Sequence, residues 1–232
     1  KAERWNALIE LLKEEAEKLS DTTPDEKAAT LYEMITIYKE RLKLDVMVVN
    51  SYNAILTVRP GDTKALDALA AQYEAMKRWP DLISTLQKRA AVTTDLPEQI
   101  ALYTRIAGLY QERFSNVAEA IKAFEKVLEL DGGNDNAIQF LKVNYEKRRD
   151  WEKLIAVHMR ELEQVSDPGQ RLHRYLEVAK LASEKLKKPA VSIDLWQKVT
   201  EVDPNHLEAL AELEKLYERE KMWEKLAEVG EK

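Results

Sequence analysis

An all-α fold of about thirteen short antiparallel helices follows from three observations. Apolar residues recur at helical spacing between turns, and Val, Ile and Thr never gather into a period-two run. Six Gly and seven Pro leave little room for strands joined by tight turns. Trp5, Trp79, Trp151 and Trp223 follow one another at spacings of 74, 72 and 72, and the stretches they open are alike: WPDLISTLQKRA aligns with WEKLIAVHMREL. The units lie near residues 5–78, 79–150 and 151–222, with the two extra residues of the first near Ser20–Ala29. Short helices joined by short loops pack antiparallel. A hairpin that cannot bury its apolar face alone is completed by its neighbours, so residues 1–232 are expected to form a single α-solenoid. The chain begins and ends at nearly equivalent points of the repeat, and a piece of a longer array is expected.

The elements follow in order. Trp5–Leu19 sets Leu8, Ile9, Leu12 and Ala16 on one face. Thr23-Pro24-Asp25-Glu26 reads as a capping box opening a second helix that runs to about Leu44. The third covers about Asp45–Val58 and stops at Pro60-Gly61, and Asp62 caps the fourth, which ends near Arg78. Trp79-Pro80 opens the fifth, to Thr93, and Asp95-Leu96-Pro97-Glu98 starts the sixth, to Phe114. Ser115 and Asn116 make a short turn into Val117–Leu130, the cleanest amphipath, which Gly132-Gly133 ends. The next two run over Asp135–Arg149 and Trp151–Val165. Asp167 caps the tenth, Pro189 opens the eleventh, Asn205 with Glu208 makes a capping box for the twelfth, and the thirteenth begins near Trp223.

Composition excludes several classes. The net charge is −6 with both signs interspersed, and the basic stripe of a nucleic-acid binder is missing. Without cysteine there is no disulfide framework and no thiolate metal site. No apolar run is long enough for a membrane span, and no signal-like segment follows the first residue, so the sequence assigns no compartment.

Each unit holds two hairpins of about 34 and 38 residues. Tyr103, Ile106, Ala107 and Tyr110 in one helix, and Ala120, Phe124 and Val127 in the next, follow a spacing that returns at Leu66, Leu69, Ala70 and Tyr73 and at Leu210, Leu213 and Tyr217. Pro60 and Pro204 close their hairpins. This pattern resembles the tetratricopeptide repeat (TPR). Gly132 replaces the closing proline, Ala182 stands where tyrosine is usual, and Lys142 and Glu214 stand where a small residue is usual, implying looser packing.

The resemblance implies a right-handed superhelix whose first helices line a concave groove. Its inward positions would include Tyr32, Thr36, Asp67, Arg105, Gln139, Phe140, Val143, Leu176 and Lys180, with Glu208, Glu212, Lys215 and Arg219 at the far end. Phe140 and Val143, apolar on a solvated face, are expected to floor a peptide or helix site flanked by Tyr32 and Leu176. One branch of the family binds C-terminal carboxylates through a Lys/Asn/Arg clamp. The corresponding pairs here, such as Tyr32/Thr36, Gln139/Val143 and Leu176/Lys180, do not match it. The inward positions are mixed in charge, which favours an amphipathic segment over an acidic tail.

An aromatic that recurs with the period of the fold reads as core packing, so each repeated Trp is expected to be buried, at about 3–5 kcal/mol on truncation. Trp196 aligns with Phe124 and reads as core. His158, His173 and His206 fit no metal spacing, and His158 takes an apolar position equivalent to Leu86. No catalytic motif, phosphate loop or cofactor site is present. The reading is a non-enzymatic scaffold for a protein or peptide partner, with no nucleic acid, no membrane insertion, no metal and no cofactor. Self-association through open ends at Trp5 and Leu8 or Trp223 and Leu226 is a further expectation. The alternative is a structural spacer without a ligand of its own.

Overall fold

The computed structural model describes residues 2–19 and 23–230. Among the described residues all regular structure is helical, in thirteen α-helices. They are α1 (Ala2–Lys18), α2 (Pro24–Ile37), α3 (Asp45–Val58), α4 (Thr63–Ala75), α5 (Trp79–Val92) and α6 (Leu96–Phe114). Then come α7 (Val117–Leu130), α8 (Asp135–Arg148), α9 (Trp151–Glu163), α10 (Pro168–Lys185), α11 (Pro189–Val202), α12 (Leu207–Arg219) and α13 (Trp223–Gly230). Packing divides the chain inside α7 into two compact units, residues 1–123 and 124–232. The two-residue insertion expected near Ser20 falls on residues 20–22, which lie outside the described residues.

Local chemistry sets most helix starts. Asp62, Asp95, Asn134, Asp150 and Asp167 each accept a backbone N–H three residues on, from Ala65, Glu98, Ala137, Lys153 and Gln170. Each such cap is worth about 1 kcal/mol. Two expected caps differ. Thr23 holds the N-cap position of α2, but its side chain makes no capping bond. For α12 the cap is His206, whose Nδ1 accepts from Ala209 N–H at 3.3 Å, and not the Asn205–Glu208 box.

The second helix also departs from expectation. Its last turn widens into a π-helical segment, Tyr38–Leu42, and Lys43 closes it at φ 56°. The equivalent stretch of α6 stays α-helical to Phe114, with Ser115 closing it at φ 49°.

A seven-residue motif recurs at the ends of α4, α8 and α12: YEAMKRW, YEKRRDW and YEREKMW. Its fifth residue (Lys77, Arg149 or Lys221) is left-handed, at φ 56°, 56° and 59°. This geometry lets Arg78, Asp150 and Met222 donate N–H bonds to the carbonyls of Tyr73, Tyr145 and Tyr217 at 2.8, 2.9 and 2.8 Å, which satisfies orphan carbonyls of the last turn. The phenol ends of the same tyrosines are held too. Asn53 donates to Tyr73 at 3.2 Å, Gln197 donates to Tyr217 at 2.8 Å, and Tyr145 donates to Glu125 at 2.6 Å. Each tyrosine therefore ties the end of its own helix to the preceding one.

Within each unit, consecutive helices bury their apolar stripes against each other. In the first, Ile55, Leu66, Leu69, Leu82, Leu86 and Ile106 are almost wholly buried. In the second, Trp196 is 1% exposed and packs among Val178, Ala179, Leu195, Val199 and Leu213. Its indole Nε1 donates to Ser183 Oγ at 2.9 Å, which satisfies the one polar atom the ring carries.

The repeated tryptophans correct an expectation. Trp5, Trp79 and Trp151 are only half-buried, and Trp223 is 60% exposed. Each lies in the first turn of its helix, and Trp79, Trp151 and Trp223 are its first residue. The Arg41 and Arg113 guanidinium groups cover Trp5 and Trp79 at 5.2 and 4.5 Å from the ring centroids. Stacking of this kind is worth about 0.5–1 kcal/mol at an exposed site. Lys142, expected to loosen its hairpin, bonds Glu161 of α9 at 2.8 Å with both side chains largely buried.

Candidate functional site

The expected groove residues fall in both units and are taken one unit at a time. In the first, the Tyr32 hydroxyl donates to Asp62 at 2.8 Å while the Lys64 ammonium sits 4.8 Å from its ring centroid. Burial, and then the Asp62 carboxylate, hold the phenol above its ordinary pKa, so it stays protonated as a strut between α2 and α4. Thr36 is exposed, and its hydroxyl donates to the Tyr32 carbonyl at 3.1 Å. Asp67 accepts from Arg89 at 2.8 Å, and Arg105 donates to Glu74 at 2.7 Å. Arg89 is buried and also bonds Glu98 and Thr93. The polar ends of these residues thus have partners within the fold.

In the second unit, the Phe140 ring lies 4.6 Å from the Phe124 ring at 37°. Phe140 is half-buried, because this stack draws it down onto α7 and away from the open position expected of it. Gln139 is exposed, as is Val143 at 47%. Leu176 packs against the core, and Lys180 pairs with Glu208 across α10 and α12 at 2.9 Å.

The same junction looks different one repeat later. The residues equivalent to Phe124, Phe140 and Val143 are Trp196, Glu212 and Lys215. Trp196 stays in the core, and Glu212 accepts from Lys215 at 2.7 Å. A cleft of about 490 Å³ opens between α10, the start of α11 and α12. Four cations line it, Lys187, Lys188, Lys215 and Arg219, against two carboxylates, Glu184 and Glu212. Leu186, Pro189 and Leu216 supply the apolar part of its wall. The Lys180–Glu208 pair links α10 and α12 further along the same two helices.

Two other features of this unit are less open to a ligand. A shallower cleft of about 320 Å³ lies over Leu128, Tyr145 and Val157, where Lys153 and Arg160 already bond Glu125 and the Leu128 carbonyl. The second is a charged cluster beside α8. His158 Nδ1 is 3.7 Å from Glu161, which also takes Lys142 and, at 3.9 Å, Arg174. Burial and then the Lys142 charge hold His158 below its ordinary value. For Glu161, burial acts upward, but the Lys142 hydrogen bond and the charges of Lys142, Arg174 and His158 outweigh it and leave the carboxyl low. Among the described residues no group of acidic or histidine side chains is placed to hold a metal ion, and no helix is long and apolar enough to cross a membrane.

Of the helix positions that carried the repeat signature, Tyr103, Tyr110 and Leu210 are half-buried and the others are core. Leu66, Leu69, Ala70 and Tyr73, Ala120, Phe124 and Val127, and Leu213 and Tyr217 are all buried on consecutive paired helices. The fold is TPR-like. No protein-family description and no curated protein matches the chain. Among solved structures it is similar to the TPR domain of P58(IPK), at 14% identity and a TM-score of 0.39 over 89% of this chain. It spans 59% of that domain's length. It is also similar to the TPR protein YrrB, at 12% identity and a TM-score of 0.36 over 83% of this chain and 97% of that one. A third is the C-terminal part of a TPR repeat-containing protein from Cytophaga hutchinsonii, at 15% identity and 0.36 over 90% and 94%.

Within this TPR-like frame, Lys215 and Arg219 were readable as inward positions, but Lys187, Lys188 and Ser183 were not. They sit at a helix end and turn that no signature covers. A usable signal was present all the same: setting the units under one another replaces Phe140 by Glu212, an aromatic plug by a charge.

Proposed function

We propose that this chain is a non-enzymatic interaction module that holds a segment of a protein partner on the exposed face of its even-numbered helices. The observation that carries the reading is the cleft of about 490 Å³ between α10 and α12. Ligand sites are concave, largely pre-formed and combine apolar wall with a few polar groups. The cleft meets each of these conditions, and its side chains converge from three helices. In this reading Gln139, Val143, Leu176 and Lys180 extend the contact along α8 and α10, and Tyr32, Thr36, Asp67 and Arg105 serve the same role in the first unit.

A photo-crosslinking residue tests the reading directly. With Lys215→p-benzoylphenylalanine in the cleft and Ala156→p-benzoylphenylalanine on the exposed face of α9, a cellular partner should crosslink at the first position only. Equal capture at both positions, or capture at the second alone, contradicts it. The spacer reading draws on a different observation. The pairs Arg105–Glu74, Asp67–Arg89 and Lys180–Glu208 spend groove-facing charges inside the fold. It predicts no crosslink at either position.

A further inference from the structure

We propose that the α10–α12 cleft is the seat of an acidic, amphipathic peptide segment, with carboxylates against Lys187 and Arg219 and apolar side chains on Leu186 and Leu216. The proposal rests on the interaction-module reading and names the partner chemistry at one place on that surface.

Three observations lead to it. The first is the origin of the space. At α7–α8 the Phe140 ring lies on the Phe124 ring. At α11–α12 the equivalent residue is Glu212, which points to Lys215 and does not lie on Trp196. Other lining residues change with it: Ser115, Asn116 and Val143 of the preceding repeat become Lys187, Lys188 and Lys215. Its volume of about 490 Å³ falls in the range of ligand sites, about 300–1,000 Å³.

The second is charge. The chain carries a net −6, yet four of the six charged side chains lining the cleft are cationic. The mixed charge of the inward positions taken together conceals this local excess. Lys187 is exposed and has no salt-bridge partner among the described residues. Lys188 holds Glu152 at 2.7 Å and Arg219 holds Glu220 at 3.2 Å, but these are surface pairs with exposed carboxylates. Such pairs are worth little and exchange readily for another anion.

The third is the apolar wall. Leu186, Pro189 and Leu216 border the charged rim. A fully polar ligand would desolvate them without contact. A segment that alternates acidic and apolar side chains satisfies both parts, because charge fixes its position and apolar burial adds affinity. A basic or neutral segment leaves Lys187 without an anion.

The test uses the full chain and three short peptides of equal length, built from glutamate and leucine, glutamine and leucine, or lysine and leucine, together with an oligouridine. Binding is read by amide chemical-shift mapping and titration calorimetry. The glutamate peptide should shift amides of residues 183–192 and 212–219 and lose affinity as salt rises. The Lys187→Glu, Arg219→Glu double variant should bind it about tenfold more weakly at unchanged helicity. A Lys88→Glu, Arg148→Glu variant of the same net charge should bind like wild type. The proposal is overturned if the glutamate peptide maps elsewhere, if both double variants weaken it equally, or if oligouridine takes the cleft in its place. If the glutamine or lysine peptide shifts the even-helix face and the glutamate peptide does not, the partner chemistry is wrong and the module reading stands. If none of the three peptides shifts that face, both fall.

Discussion

The α7–α8 and α11–α12 junctions occupy equivalent places in the repeat and solve the same packing problem differently. At the first, Phe140 stacks on Phe124. At the second, the larger Trp196 is buried to 1% exposure and bonded to Ser183, while Glu212 leaves the outer layer open. The buried layer is retained in both copies, with an indole in place of a phenyl ring. The outer layer differs between the two copies and is less deeply buried than the inner one. Function can therefore be placed there without weakening the array, as expected of stacked repeats whose stability is a sum of neighbour terms.

The largest effect should come from breaking the retained layer. Trp196→Ala should cost about 3–5 kcal/mol in chemical denaturation, as a fully buried aromatic does. Phe140→Ala, at a half-buried ring, should cost about 2 kcal/mol. If the two cost the same, the two-layer description is wrong. The reciprocal exchange sharpens the comparison. Glu212→Phe should close the cleft and raise stability by about 1 kcal/mol through apolar burial, measured by the same denaturation.

The second unit should also respond to acid through its charged cluster. His158 faces the charges of Lys142 of α8, Glu161 of α9, and Arg174 and Glu177 of α10, and burial holds its folded pKa below the ordinary imidazole value of 6.5. The fold therefore prefers the neutral ring. Its contribution is fully present above 6.5 and is lost as pH falls from there toward the lower folded value. Glu161 is also lowered, from 4.5, so its contribution is present above that value and is lost below it. His158→Leu, which copies Leu86 of the preceding repeat, should flatten stability just below pH 6.5 and leave the loss below 4.5 that Glu161 causes. An unchanged profile in that window would remove His158 from the account.

Smaller effects come from the helix ends. Arg149 is held at φ 56° with a side chain that region disfavours. Arg149→Gly should stabilise by about 0.5–1 kcal/mol in thermal unfolding. Trp223→Ala, at a 60% exposed ring, should cost less than about 1 kcal/mol.

The helices were largely legible because their signals are local. α3 and α7 begin and end where the apolar period and the flanking Pro or Gly place them. The π-helical turn at Tyr38–Leu42 carries no turn residue and follows from packing, so periodicity reads through it. The tryptophans were misjudged for a related reason. Recurrence establishes that a position matters to the repeat but not how deep it lies, and each of these residues sits in the first turn of its helix, at the rim. Of the expected site, Lys180 lies on the same two helices as the cleft, through its pair with Glu208. The cleft was hidden because a cavity is defined by what is missing between elements, which no single segment records.

The central claim is that an unplugged repeat junction makes the partner seat, and the plug itself tests it most directly. Titration calorimetry of the glutamate–leucine peptide should be run on wild type and on Glu212→Phe side by side. The account predicts that the variant folds at least as stably and binds about tenfold more weakly or not at all. Equal affinity in a variant shown to be folded, with the cleft filled, would contradict it.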